Sequence, residues 1–180
     1  VFGLVGSEMC IRDRDGTLLR DVIKNQGALP GIKVDKGLQP LEDCLGETVT
    51  VGLDGLDERL KEYSSMGAKF TKWRAVINIG DGLPTDKCID ANMEALADYA
   101  KCAQDNEMVP IVEPEVLMDG EHSIDECYEA TERSLKSLFE HLDKKGVNIK
   151  GTLLKPNMVT SGKDASCLLY TSDAADETTG

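Results

Sequence analysis

Four short apolar segments, GIKVDKG (31–37), KFTKWRAVI (69–77), MVPIVEPEVL (108–117) and GTLLKPNMV (151–159), recur at intervals of about forty residues. Between them lie stretches with helical periodicity. Leu53, Leu56, Leu60 and Tyr63 fall at three- and four-residue spacing, one face of an amphipathic helix. Thr85 is placed to cap a second helix whose buried stripe runs through Ile89, Met93, Leu96 and Ala100. Ser123 and Glu126 form a capping box ahead of Ile124, Cys127, Tyr128, Leu135, Leu138, Phe139 and Leu142, with Gly146 ending that helix. Strand alternating with helix predicts a parallel sheet with crossover helices, either a doubly wound open sheet or a (β/α)8 TIM barrel. No Gly-rich phosphate loop follows any strand, which weakens the nucleotide-binding version. A whole barrel needs about 250 residues, so a barrel here shows only about four central βα units.

Composition narrows the partners. The 180 residues carry 20 basic and 33 acidic side chains, a net charge of −13. Such a surface disfavours nucleic acid and anionic membranes, both of which require clustered Lys and Arg. No apolar run approaches the roughly 20 residues of a membrane span, and the first residues lack a secretory pattern, so the cytoplasm is expected. The six cysteines show no CxxC spacing and read as buried small hydrophobes in a reducing compartment. His122 and His141 sit at opposite ends of one helical stretch, which argues against a histidine-bound metal.

The two ends fit no periodic pattern. MCIRDR (9–14) and CLLYTS (167–172) can be back-translated into DNA strands that are reverse complements over most of their length, and both resemble transposon adapters used for sequencing libraries. The expected organisation is therefore 1–14 adapter read-through, 15–166 natural barrel domain, and 167–180 adapter read-through. Cys10, Arg12, Arg14, Cys167 and Tyr170 carry no functional weight on this reading.

Residues two apart on a strand face the same way. At that spacing the four strands offer Lys33 with Asp35, Lys72 with Arg74, Glu113 with Glu115, and Lys155 with Asn157. Fully covered parallel strands are normally apolar on both faces. Four successive polar pairs near the C-terminal strand ends, where barrels carry their chemistry, therefore predict a shared polar site. Four cations and three carboxylates can largely neutralise one another there. A lysine buried among cations loses proton affinity, and the free amine attacks carbonyl carbon. A carboxylate such as Glu113 can shuttle the protons of carbinolamine formation and dehydration. Periodicity alone does not choose the reacting lysine.

GIKVDKG, KWR, IVEPE and GTLLKPNMV, in this order and at these separations, closely resemble class I fructose-bisphosphate aldolase, a (β/α)8 barrel. The likeness runs through essentially all of residues 20 to 160. It implies that Lys155 is the Schiff-base lysine, that Glu113 is the acid/base carboxylate, and that Lys72 sets the site's electrostatics and contacts substrate. Lys33 and Arg74 match further cationic positions around the substrate and its phosphates, with Asp35 and Glu115 organising those cations. The implied reaction is reversible cleavage of fructose 1,6-bisphosphate into dihydroxyacetone phosphate and glyceraldehyde 3-phosphate, with no cofactor and no metal, in a homo-oligomeric parent.

Family strands one, two, seven and eight have no counterpart in this reading. With them go an Asp that assists carbon bond cleavage and the Ser, Gly and Arg positions that grip a phosphate. The chain by itself is expected to be inactive and to expose two sheet edges. Another Schiff-base barrel enzyme of the transaldolase or deoxyribose-phosphate aldolase kind would share the lysine chemistry. A non-catalytic scaffold with an aldolase-like barrel is the alternative from outside enzymology.

Overall fold

The structure, a computed structural model, describes residues 4–5, 12 and 15–166. Its strands are β1 (Leu4–Val5), β2 (Gly31–Lys33), β3 (Leu38–Pro40), β4 (Thr48–Thr50), β5 (Phe70–Ile77), β6 (Val109–Val116) and β7 (Leu153–Leu154). The helices are α1 (Leu19–Asn25), α2 (Leu56–Ser65), α3 (Asp86–Asp105) and α4 (Ile124–Lys144). One sheet runs in the order β1-β2-β5-β6-β7 with every neighbouring pair parallel. All four anticipated strands are present. The rest of the two terminal segments lies outside the described residues, but Leu4–Val5, where no periodicity is legible, pairs with β2 at the sheet edge.

The helix starts follow the sequence signals. Thr85 Oγ1 accepts the Cys88 amide at 3.1 Å, and Thr85 is itself held by the buried Glu47 through its N–H at 2.9 Å and its hydroxyl at 2.6 Å. Ser123 and Glu126 satisfy one another as a complete capping box at the start of α4. Leu56, Leu60, Ile89, Met93, Leu96 and Ala100 are buried as their spacing predicts, each large side chain contributing about 1.5–3 kcal/mol. On α4, Cys127, Leu138 and Leu142 enter the core while Ile124, Tyr128 and Phe139 stay exposed. Only one stripe of a helix can face a single sheet. Cys88 and Cys127 are buried, but Cys44 and Cys102 are only partly so, which corrects the expectation of uniformly buried thiols.

The helices answer the choice between open sheet and barrel. Both α3 and α4 pack on β6, α3 also packs on β5, and α2 packs against α3, so all three cover the same face. A doubly wound sheet would divide its helices between two faces. Trp73 stacks on Tyr99 at 5.4 Å within this layer, and the Tyr99 hydroxyl meets Thr71 Oγ1 at 2.8 Å. A polar seam joins α3 to α4. Asp86, Asp90, Glu94 and Asp98, four residues apart, meet Arg133 at 2.7 Å, His141 at 2.8 Å and Lys145 at 3.2 and 2.7 Å. The other sheet face is left for charge.

Between β2 and α2 the chain makes an antiparallel hairpin, β3–β4, that the sequence reading leaves unassigned. It is fastened to the end of β5 and to α3. Thr50 Oγ1 donates to Arg74 O at 2.7 Å, and Asn92 Nδ2 donates to Thr48 O at 2.8 Å.

Candidate active site

Register brings the predicted residues together. Lys33 stands opposite Lys72 across β2–β5, and Arg74 stands opposite Glu113 across β5–β6. Beyond β7 the Lys155 amide still donates to Val112 O at 2.9 Å, which sets Lys155 beside Glu113.

Glu113 is the centre of the cluster. It is 4% exposed, and its two carboxylate oxygens each take a different lysine, Oε1 pairing with Lys155 and Oε2 with Lys72. A buried carboxylate demands such partners, because an unpaired one would carry the full cost of desolvation. Asp35, 8% exposed, lies 2.5 Å from Lys33 Nζ and accepts from the amides of Gly37 at 3.3 Å and Arg74 at 3.4 Å. Arg74 pairs with Glu115, and that bond is the main reason its guanidinium is held above its already high ordinary value. Every carboxylate expected in the cluster thus binds a cation expected there.

Two expectations fail. Lys155 is not buried among cations: its side chain is 63% exposed, and Leu153 and Leu154 before it are exposed as well. Burial therefore gives this amine little desolvation, and contact with Glu113 sets its environment instead. Asn157 does not face the cluster with Lys155. Pro156 intervenes just past the two-residue strand, and the strand alternation does not continue through it. The Asn157 amide turns to Val116 N and Thr131 Oγ1.

Several supports have no sequence signal. Arg59, on the helix α2, donates to Val34 O at 2.9 Å and also to Gly52 O, tying the residue before Asp35 to the loop after β4. Gly52 has φ +133°, and a Cβ there would stand 3.0 Å from Lys36 N, so the loop closes on a glycine by necessity. Thr131, buried on α4, is visible in the sequence only as another helical residue. Among the described residues no group of His, Cys, Asp and Glu is arranged to hold a metal ion.

A parallel sheet helix-covered on one face, with lysines and carboxylates gathered on the other, is the arrangement of part of a TIM barrel. The family model described as fructose-bisphosphate aldolase class-I matches residues 4–179, a span that reaches into both terminal segments set apart above. The chain belongs to that family. It is 50% identical over 167 residues to a probable fructose-bisphosphate aldolase class 1 of Xanthomonas campestris, covering 93% of this chain and 50% of that protein. It is 52% identical over 150 residues to the cytosolic fructose-bisphosphate aldolase 4 of Arabidopsis thaliana, covering 83% and 38%. The fold superposes with a TM-score of 0.90 on the Plasmodium falciparum fructose-bisphosphate aldolase, solved in complex with TRAP and a small-molecule inhibitor. That match has 43% identity and covers 94% of this chain and 49% of the other. The chain thus spans about half the length of the relatives it matches.

Proposed function

We propose that this chain is the imine-forming part of a class I fructose-bisphosphate aldolase, with Lys155 as nucleophile and Glu113 as its acid/base partner. The observation that carries the reading is the buried Glu113 carboxylate shared between Lys72 and Lys155. Proton transfer from the Lys155 ammonium to Glu113 leaves a free amine and a neutral carboxyl within contact. The amine adds to the ketose C2 carbonyl; the new oxyanion takes the proton from the Glu113 carboxyl, and the nitrogen, cationic after the addition, returns one to Glu113, giving the neutral carbinolamine. A second proton lets that oxygen leave as water, and the nitrogen lone pair forms the iminium. Glu113, a carboxylate again once water has left, takes the C4 hydroxyl proton as the C4–O pair becomes the aldehyde carbonyl, and the iminium draws the electron pair of the breaking C3–C4 bond into an enamine. Glyceraldehyde 3-phosphate leaves, and protonation and hydrolysis of the enamine release dihydroxyacetone phosphate. Lys72, retained on the other oxygen of Glu113, keeps that carboxyl polarised, while Lys33 and Arg74 offer positive charge to substrate phosphates.

We further propose a cytoplasmic, homo-oligomeric protein, as the family resemblance implies. Cytosolic proteins stand among the relatives.

Incubation with dihydroxyacetone phosphate and borohydride tests the proposal. A reduced adduct on Lys155, absent from Lys155→Arg, is expected. Failure to form it, or an adduct confined to another lysine, would overturn the assignment. Imine formation is the proper readout for this chain, because full turnover draws on positions outside the matched half.

A further inference from the structure

We infer that Asn157 and Thr131 form a clamp that positions Lys155, an inference that rests on the reading of Lys155 as the imine-forming lysine. The sequence around that lysine poses a structural difficulty. β7 is only two residues long and exposed, and Pro156 follows Lys155 directly, so the next backbone group has no N–H to offer the sheet.

The partner strand is equally short of donors. Val109 N and Leu117 N donate towards β5, to Lys69 O at 3.0 Å and Ile77 O at 2.9 Å. Alternation along the strand therefore turns residues 110, 112, 114 and 116 towards β7. Two of those four are Pro110 and Pro114, which have no N–H. At the C-terminal end of β6 only Val116 can donate to the departing chain, and the backbone beyond Pro156 no longer runs as a ladder strand.

Asn157 replaces the missing ladder bond with its side chain. Its Oδ1 accepts from Val116 N at 3.1 Å, and its Nδ2 donates to Thr131 Oγ1 at 3.0 Å and to Met158 O at 3.0 Å. Thr131 is 7% exposed and belongs to α4, an element fixed by its capping box and by the seam to α3. One amide therefore ties the segment two residues past Lys155 to both the end of β6 and the helix layer. Glu113, the residue Lys155 must meet, lies on the same strand as Val116. The clamp thus fixes the distance between nucleophile and carboxylate even though the Lys155 side chain is 63% exposed and is not held by burial. Asn157 touches neither substrate nor reacting atoms on this account and is a positioning residue.

The test compares Asn157→Ala, Thr131→Val and Thr131→Ser in the 180-residue chain. Two quantities are read: hydrogen exchange at the Val116 amide, and the rate of borohydride-trapped Lys155 adduct with dihydroxyacetone phosphate. Asn157→Ala and Thr131→Val should speed exchange by about five- to tenfold and slow trapping by on the order of tenfold. Thr131→Ser, which keeps the hydroxyl, should restore both. Faster exchange with unchanged trapping would make the clamp purely structural and overturn the positioning role. Wild-type values for both variants would overturn the clamp itself. If Asn157→Ala does not fold, the Thr131→Val and Thr131→Ser pair decides. A wild-type chain that gives no adduct on Lys155 is a different result, since it removes the Schiff-base reading.

Discussion

Lys33 and Lys72 stand directly opposite one another in the β2–β5 register, and each is paired with a different buried carboxylate, Asp35 and Glu113. Like charges facing across a strand pair are destabilising. The carboxylates are therefore needed for the sheet to tolerate the lysines as well as for any chemistry. The site's charge and the fold's stability are the same arrangement seen from two sides.

Asp35→Asn separates these roles at one corner. The amide retains the side chain's shape but no longer balances Lys33, and at most one of its two heads accepts from the amides of Gly37 and Arg74. Urea denaturation should show a loss of about 1–3 kcal/mol. A change under about 0.5 kcal/mol would mean that the opposed lysines do not depend on Asp35.

Glu113→Gln removes the charge shared by Lys72 and Lys155. Trapping of the Lys155 imine should slow by about 10²- to 10⁴-fold, the range of a lost general acid/base. Glu115→Gln touches Arg74 alone and should slow it far less. Equal effects from the two substitutions would show that net charge, rather than a proton-transfer partner, is what matters.

The capping box gives a pH signature. Bonds from the Ser123 N–H and hydroxyl hold the Glu126 carboxyl below its ordinary range. A group whose folded value is depressed stabilises the fold above its unfolded value, about 4.3 for Glu, and the contribution is lost as pH falls through the lower folded value. Wild type should therefore exceed Glu126→Gln in stability at neutral pH by a margin that shrinks through the acid range. Thermal melts of both proteins from neutral to about pH 2–3 provide the check, and a constant difference would refute it.

The strands, caps and charged cluster were legible because each rests on local pattern: two-residue alternation, Ser123-x-x-Glu126, and lysines where helix-covered strands should be apolar. Lys155 and Asn157 mark where that logic stops. Alternation holds only while the chain remains a strand, and Pro156 ends it, so the two side chains part company. Arg59 and Thr131 were illegible for a different reason. Each acts on a segment distant in sequence, Thr131 by 26 residues from Asn157, and no periodicity encodes such a contact. The exposure of Lys155 likewise depends on what stands beside β7, which the local sequence does not specify.

Tyr99→Phe probes the helix layer without touching the charged face. It would strip Thr71 Oγ1, fully buried, of its 2.8 Å partner while keeping the ring stacked on Trp73. A loss of about 1–2 kcal/mol is expected from the orphaned hydroxyl. Trp73 is the chain's one tryptophan, so its emission reports directly on this stack. The maximum should stay in place while the unfolding midpoint falls. A shifted maximum would instead mean that the stack depends on the hydroxyl.

Gly162→Ala tests the latch beyond Lys155. Gly162 N donates to His122 O at 2.8 Å, Lys163 N to Met118 O at 2.7 Å and Asp164 N to Gly120 O at 3.0 Å, so the segment after β7 is bonded along the loop after β6. A Cβ on Gly162 would lie 2.2 Å from Gly120 O and 3.0 Å from His122 N, both backbone atoms that cannot rotate away. Closeness of approach, not a left-handed φ, is what demands glycine here. The alanine must force the two segments apart, at a cost of about 1–3 kcal/mol if the rest of the fold holds. Amides of Lys163 and Asp164 should then exchange faster while those of α3 do not. Unchanged exchange at both positions would show that the loops can absorb the methyl group and that the latch is looser than its contacts indicate.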